Sequence, residues 1–191
     1  MATSKPGERK LQILQALATM LENPRGEKIT TAALANKVEV SEAALYRHFA
    51  SKAQMFEGLI EFIESSVFGL INQIGAQQED GLAQVHAITL MLLNFSERNP
   101  GMTRVLIGEV LVHEDERLQN RMNQFLERIE LAYKQALRQA VVQGQIAENE
   151  VVSRASLLSS FVVGRWHRFA KSGFKCLPAE QAAMQLALLL R

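Results

Sequence analysis

Residues 30–52 constrain the fold of this chain more than any other stretch, because they contain two short helical patterns separated by a tight turn. Thr30 is suited to cap the first helix, in which Leu34 lies on the apolar side. Ser41 is suited to cap the second helix, in which Leu45 and Phe49 face inward. Two helices joined by about three or four residues are typical of a helix-turn-helix, whose second helix enters the DNA major groove. The pattern therefore predicts a recognition helix over residues 41–48.

The outward side chains of this pair suit contact with DNA. Ala43 and Ala44 are small enough to let the backbone approach the bases, and Tyr46, Arg47 and His48 supply hydrogen-bond donors. Hydroxyl and backbone N–H groups at a helix N-terminus, and a lysine just past a helix end, are typical phosphate contacts. The predicted DNA-binding residues are Thr30, Thr31, Ser41, Ala43, Ala44, Tyr46, Arg47, His48 and Lys52. On spacing alone, a surface helix pair within an ordinary bundle is the competing interpretation.

The amino-acid sequence of residues 40–52 resembles the signature of TetR-type transcriptional regulators. It contains the run Leu-Tyr-Arg-His-Phe, followed after one residue by Ser-Lys. The resemblance implies an N-terminal DNA-binding head, a helical body and a homodimer that reads palindromic double-stranded DNA. Glu39 departs from the pattern, since the family usually has glycine in the turn. A residue there needs a positive φ, which costs a side chain about 1 kcal/mol.

The length and composition of the chain limit the number of domains and the cellular compartments that are compatible with it. A chain of 191 residues with 48% hydrophobic residues suits one or two small domains with a real core. The net charge of +1 hides an asymmetry, because residues 1–52 carry more basic than acidic side chains and residues 53–191 carry the reverse. The single cysteine, Cys176, fits a reducing compartment. No signal peptide or membrane-length apolar run is visible, so the sequence predicts a cytoplasmic protein.

No stretch alternates with period two, so we expect an all-α protein of about nine helices. A first helix over residues 8–22, with Leu11 in its buried stripe, precedes the helix-turn-helix. Further helices are predicted over residues 53–74, 82–96, 103–112, 116–143, 150–171 and 179–190, with a break at 75–81. We interpret residues 1–52 as the DNA-binding domain and residues 53–191 as a dimerisation and partner-binding domain.

The last two predicted helices carry small and aliphatic faces that suit a four-helix interface between two copies. The alternative is that these faces complete the core of one monomer. The residues concerned are Ala155, Leu158, Ser159, Val162, Val163, Gly164 and the run 186–190.

Catalytic chemistry finds little support in the sequence. The histidines His48, His86, His113 and His167 are scattered, and none has a second ligand at metal-binding spacing. No phosphate-cradling glycine loop or nucleophile elbow is present. The sequence predicts a protein that is not an enzyme and that has no metal and no cofactor.

A narrower resemblance lies in residues 58–64, 94–106 and 115–130, which are similar to the nucleoid occlusion branch of the TetR-type proteins. It implies a nucleoid-associated homodimer, with one or several dimers per DNA site. It further implies that the DNA-bound protein antagonises the division GTPase FtsZ by gripping the FtsZ C-terminal tail between the fourth and fifth helices. The positions that match this tail groove are Phe62, Met91, Arg98 and Asn99. Leu70 and Asn94 depart from it, standing where a relative has arginine and glycine.

These four side chains make physical sense together, since an extended acidic peptide needs an apolar slot and a cationic end. Two alternatives stay open. Arg98 and Asn99 also suit a helix C-cap before Pro100. A ligand-responsive repressor is the alternative function, and its body should enclose a cavity of about 300 Å³ or more.

Overall fold

The computed structural model describes residues 6–23 and 29–190, and this part contains nine α-helices and no strand, which confirms the all-α prediction. None of its helices is both long and apolar enough to cross a bilayer. Short 3₁₀ turns occupy Glu109–Leu111 and Glu148–Glu150. The helices are α1 Pro6–Leu21, α2 Thr31–Lys37, α3 Glu42–Tyr46, α4 Lys52–Gln77, α5 Gly81–Arg98, α6 Pro100–Leu106, α7 Glu116–Val142, α8 Val151–Lys171 and α9 Ala182–Leu189.

Three predicted helix boundaries are wrong. The break expected at Gly75 is absent, since α4 continues to Gln77 and the Gln78 N–H still donates to the Ile74 carbonyl at 2.9 Å. The helix predicted over 103–112 starts at Pro100, whose fixed φ suits a first helical turn, and stops before Gly108 at φ +72°. The last helix starts only after Gln181, which has φ +56°.

Helix α5 is the centre of the body and packs against α4, α6, α7, α8 and α9. Its buried polar groups are satisfied: the hydroxyls of Thr89 and Tyr133 lie 2.9 Å apart, and Trp166 donates from Nε1 to the Leu92 carbonyl at 3.2 Å. Burial raises the pKa of the Tyr133 phenol, against the weaker opposing effect of its bond to Thr89. Trp166, Tyr133 and Phe125 are fully buried, so this part of the core is filled with side chains.

The head, α1 to α3, is held to the body mainly through α1 and α6. Gly101 lies so close to α1 that a Cβ there would be 2.0 Å from the Ala18 carbonyl oxygen. Arg104 on α6 donates to the carbonyls of Leu21 and Asn23 at 3.1 and 3.0 Å, which satisfies groups left open at the end of α1. The position of α1 is therefore fixed relative to the α5–α6 junction.

Arg104 is itself held by a carboxylate. Glu109 pairs with Arg104 at 3.0 Å and with Lys171 of α8 at 3.3 Å. Burial opposes ionisation of Glu109, but the two cations outweigh burial and hold the pKa of this carboxyl below its usual value. The end of α1 is thus linked through α6 to the end of α8.

The core of the head differs from the predicted stripe at one position. Leu11, expected inside, is 44% exposed, whereas Ile13 is fully buried with Leu17 and Leu21. The buried face of α1 is thus rotated away from Leu11, because α2 and α4 cover the side of the helix that carries Ile13 and Leu17.

Candidate DNA-binding and peptide-binding sites

The helix-turn-helix begins with two side-chain caps, both as predicted. The Thr30 hydroxyl accepts from the Ala33 N–H at 3.1 Å, and the Ser41 hydroxyl accepts from the Ala44 N–H at 3.2 Å. Each cap satisfies a backbone donor that a helix N-terminus leaves open. The helical part of the recognition segment is shorter than predicted, because α3 ends at Tyr46 and Arg47 is its C-cap.

The turn between α2 and α3 contains the positive φ that the sequence predicts. Glu39 has φ +56°, in the left-handed region that favours glycine. Two contacts hold the turn: Arg9 of α1 donates to the Val38 carbonyl at 3.1 Å, and the Thr31 hydroxyl donates to the Glu42 carboxylate at 2.7 Å. Arg9 and Thr31 therefore orient the two helices, and Thr31 is also one of the predicted phosphate contacts.

The outer face of the recognition segment is open to solvent. Ser41, Ala43, Tyr46 and Arg47 are exposed, while Ala44 and His48 are half-buried. Leu45 and Phe49 are buried on the opposite side and attach the segment to the head. The structure thus places the predicted base-reading side chains on one accessible surface.

Lys52 differs from the open cation that the sequence predicts. It is the first residue of α4, and its ammonium is ion-paired with Glu114 in the loop before α7. The same ammonium lies 5.6 Å from the Phe56 ring centroid. Lys52 therefore joins the start of α4 to the body, a role that its position after the recognition helix does not reveal.

The four predicted peptide-groove residues belong to α4, α5 and the C-cap of α5, in the half of each helix away from the connecting residues 78–80. Because only residues 78–80 connect α4 to α5, the two helices run antiparallel. The middle of α4 is therefore level with the C-terminal end of α5. Phe62 is 41% exposed, and it lines a concavity of about 200 Å³ together with Asn99. Met91 and Arg98 are outside that concavity, on a common face of α5.

Arg98 and Asn99 differ in how they are engaged. The Asn99 amide donates to the Phe95 carbonyl at 2.7 Å, so Asn99 is a C-cap of α5 as well as a lining residue. Arg98 is exposed, and within the described residues its guanidinium has no hydrogen bond or ion pair. The capping interpretation is therefore confirmed for Asn99, whereas the Arg98 side chain is open to a ligand.

Comparison with known proteins decides the family. Residues 79–191 match the model "Tetracyclin repressor-like, C-terminal domain" of the SlmA-like type, and residues 26–59 match that of bacterial regulatory proteins of the tetR family. The nucleoid occlusion factor SlmA of Aliivibrio fischeri strain MJ11 is 49% identical over 99% of this chain and 97% of its own length. The SlmA of Idiomarina loihiensis is 48% identical, over 97% and 94%.

The chain belongs to the SlmA family of nucleoid occlusion factors. Solved structures of more distant proteins show the same fold. A TetR transcription regulator from Haloarcula marismortui superimposes with a TM-score of 0.82 at 16% identity, covering 96% of this chain and 97% of that one. Membership in the SlmA family makes the chain a DNA-binding regulator that dimerises.

The predicted dimer face of this SlmA-family chain is wrong at four residues. Ala155, Leu158 and Val162 are buried within a single chain, so they complete the monomer core, and Leu186 does the same. Other parts of α8 and α9 stay at the surface, including Met184 and Leu188 at 73% and 61% exposure. Ser159, Val163 and Gly164 line an open concavity of about 640 Å³ between α7 and α8.

The alternative function, a ligand-responsive repressor, requires a cavity in the body that can hold a small-molecule inducer. One concavity that exceeds the expected 300 Å³ lies between α7 and α8 and is open to solvent. A second, of about 210 Å³, lies among Arg165, Arg168 and Cys176 near the end of α8. In the described core, the space between α5, α7 and α8 is occupied by Thr89, Tyr133 and Trp166, together with the aliphatic side chains around them.

Proposed function

We propose that this SlmA-family chain acts as a homodimer on palindromic chromosomal sites and that, while bound there, it holds the C-terminal tail of FtsZ and opposes FtsZ assembly. It would thereby prevent septum formation over the nucleoid, with which it would be associated. The observation that carries the peptide part is that the exposed Phe62 and Asn99 line one concavity, and that Arg98, which precedes Asn99 in sequence, is an exposed cation. An apolar slot with a cationic end suits an extended, partly acidic segment.

The length of the groove fits a short peptide. Met91 and Arg98 are seven residues apart on one face of α5, which corresponds to about 10 Å along the helix. An extended chain advances about 3.3 Å per residue, so about four residues would reach from Arg98 to Met91. Phe62 is level with the Arg98 end because α4 and α5 are antiparallel. One tetrapeptide segment would therefore contact all four proposed residues.

In the DNA-bound state, residues 1–52 would be the reading head and residues 53–191 the dimerisation and partner-binding body. Tyr46 and Arg47 are the side chains we assign to base edges or phosphates, with Ser41, Ala43, Ala44 and His48 beside them. Thr30 and Thr31 would approach phosphates at the start of α2. A two-fold dimer places two recognition segments about one helical turn of DNA apart, which requires a palindrome.

The exposed remainder of α8 and α9 is the surface we assign to dimerisation. Met184 and Leu188 lie one helical turn apart on α9 and present apolar area that the monomer leaves in water. The small side chains of Ser160 and Gly164 on α8 allow close helix approach. Both sites of the proposed dimer act by binding, and we assign no catalysis to the chain.

The test is fluorescence anisotropy of a labelled FtsZ C-terminal tail peptide titrated with the protein, with and without palindromic DNA. Saturable binding by the wild-type protein is expected, and Phe62→Ala and Arg98→Glu should each weaken it at least tenfold. Val142→Ala, an exposed apolar change at the far end of α7, should bind the tail like wild type. Absence of saturable wild-type binding would contradict the proposal and leave a small-molecule inducer that releases DNA as the hypothesis to pursue.

A further inference from the structure

The concavity beside Phe62 has a wall that comes from the DNA-binding head. Its lining combines three helices or junctions that are distant in sequence: α1, α4 and the α5–α6 junction. The residues are Leu11, Leu14 and Gln15 from α1, Leu59 and Phe62 from α4, and Asn99 and Met102 from the junction. We propose that α1 is part of the peptide site, so that one apolar side chain of the bound peptide is enclosed between Leu11 and Phe62. This inference rests on the proposed function.

The exposure of the two flanking side chains supports an apolar occupant. Leu11 is 44% exposed and Phe62 is 41% exposed, and they lie on different helices around one depression. Each would lose further contact with water if an apolar group entered between them, which stabilises a complex by about 25 cal/mol per Å² buried. The volume of about 200 Å³ is sufficient, since a cavity of about 150 Å³ accommodates a benzene ring.

The wall from α1 is rigidly placed. Gly101 contacts the α1 backbone at Ala18, and Arg104 binds the carbonyls of Leu21 and Asn23. Met102, which lines the concavity, lies between these two residues on α6. The same contacts that join head and body therefore set the distance between Leu11 and the α5–α6 junction, so the pocket is pre-formed and loses little entropy on binding.

Charge gives the bound peptide a direction. Glu61 is exposed and adjacent to Phe62 in sequence, whereas Arg98 is an exposed cation at the end of α5. The other nearby acids of α4 are engaged, Glu57 by Arg117 and Glu64 by Arg121. A peptide carboxylate is attracted by Arg98 and repelled by Glu61. The acidic residue of the peptide should therefore lie on the Arg98 side of the apolar residue in the pocket.

The experiment uses the full-length chain and the labelled FtsZ tail peptide. Leu11→Ala should weaken tail binding about tenfold, and Leu11→Trp, which fills the depression, should weaken it at least as much. DNA affinity and the urea unfolding midpoint should stay close to wild type for Leu11→Ala, because Leu11 lies outside the buried core of the head. Val142→Ala is the matched control for a shortened, exposed aliphatic side chain.

A peptide scan separates direct contact from an indirect effect. Alanine at one apolar peptide position should weaken binding to the wild type and have no further effect on Leu11→Ala, since contacting groups are non-additive. If both Leu11 variants bind like wild type while Phe62→Ala and Arg98→Glu lose binding, the inference is wrong and the proposed function stands. If the wild-type chain does not bind the peptide, the proposed function fails and this inference fails with it.

Discussion

The two candidate sites of this protein are built in opposite ways. The DNA-binding surface comes from one continuous stretch, residues 30–52, in which hydroxyl caps and a tight turn fix the geometry locally. The peptide site takes side chains from α1, α4, α5 and the α5–α6 junction, and the residues that line its concavity span positions 11 to 102. A local site depends on its own caps, whereas a composite site depends on the packing that brings distant helices together.

The contact between α1 and α6 provides the strongest test of whether the composite site depends on helix packing. A Cβ at Gly101 would overlap the Ala18 carbonyl, so Gly101→Ala should lower the free energy of unfolding by about 3 kcal/mol through overpacking. Urea denaturation measures this, and tail binding should fall even in the folded fraction. Gly75→Ala is the control, because a Cβ at this position of α4 would meet nothing within 4 Å. The stability of this variant should rise slightly, since alanine favours the helix more than glycine does. Equal stability of the two variants would contradict the close contact.

Two arginine substitutions test whether DNA binding and tail binding depend on separate sites. Arg47→Ala should cost about 2 kcal/mol in DNA binding if Arg47 reads a base, and leave the tail affinity unchanged. Arg98→Ala should do the reverse, because Arg98 is the exposed cation that we assign to the peptide carboxylate. Paired titrations with operator DNA and the tail peptide measure both. Loss of both activities in either single variant would show that the two sites are not energetically separate.

The cap at the start of α2 tests the local character of the head. Thr30→Ala removes the hydroxyl that accepts from the Ala33 N–H and should lower stability by about 1 kcal/mol. DNA affinity should fall while tail binding persists. Thr19→Ala on the exposed side of α1 is the matched control and should change neither affinity. A global collapse in the circular dichroism melt of Thr30→Ala would contradict a local role.

Replacement of Lys52 has the smallest expected effect on DNA binding. It tests whether the Lys52 ammonium pairs with Glu114 or contacts a DNA phosphate. Lys52→Met removes the partner of Glu114, whose side chain is 14% exposed, and should lower stability by about 1 kcal/mol, while the salt dependence of DNA binding stays unchanged. The slope of log K against log salt concentration is the measurement. A slope reduced by about one would restore the phosphate contact that the sequence predicts. Glu114→Gln, which removes only the partner charge, is the comparison variant.

Much of the fold could be predicted from the sequence because helical periodicity and caps are local properties. The nine helices, the caps at Thr30 and Ser41 and the positive φ of Glu39 are all present in the structure. The errors about which side chains are buried share one cause, which is that burial depends on neighbours. Leu11 was expected in the core and lies outside it, while Ala155, Leu158 and Val162 were assigned to an interface and lie in the monomer core.

The sequence by itself determined the caps at Thr30 and Ser41 and which stretch presents a recognition helix, since these depend on capping groups and spacing within a few residues. The tertiary structure alone decided that Lys52 pairs with Glu114, that Arg104 secures the end of α1, and that Leu11 and Phe62 share one depression. Those contacts join residues that are 51 to 83 positions apart. Periodicity along one helix says which side is apolar, but only the packing of all the helices says which neighbour covers it.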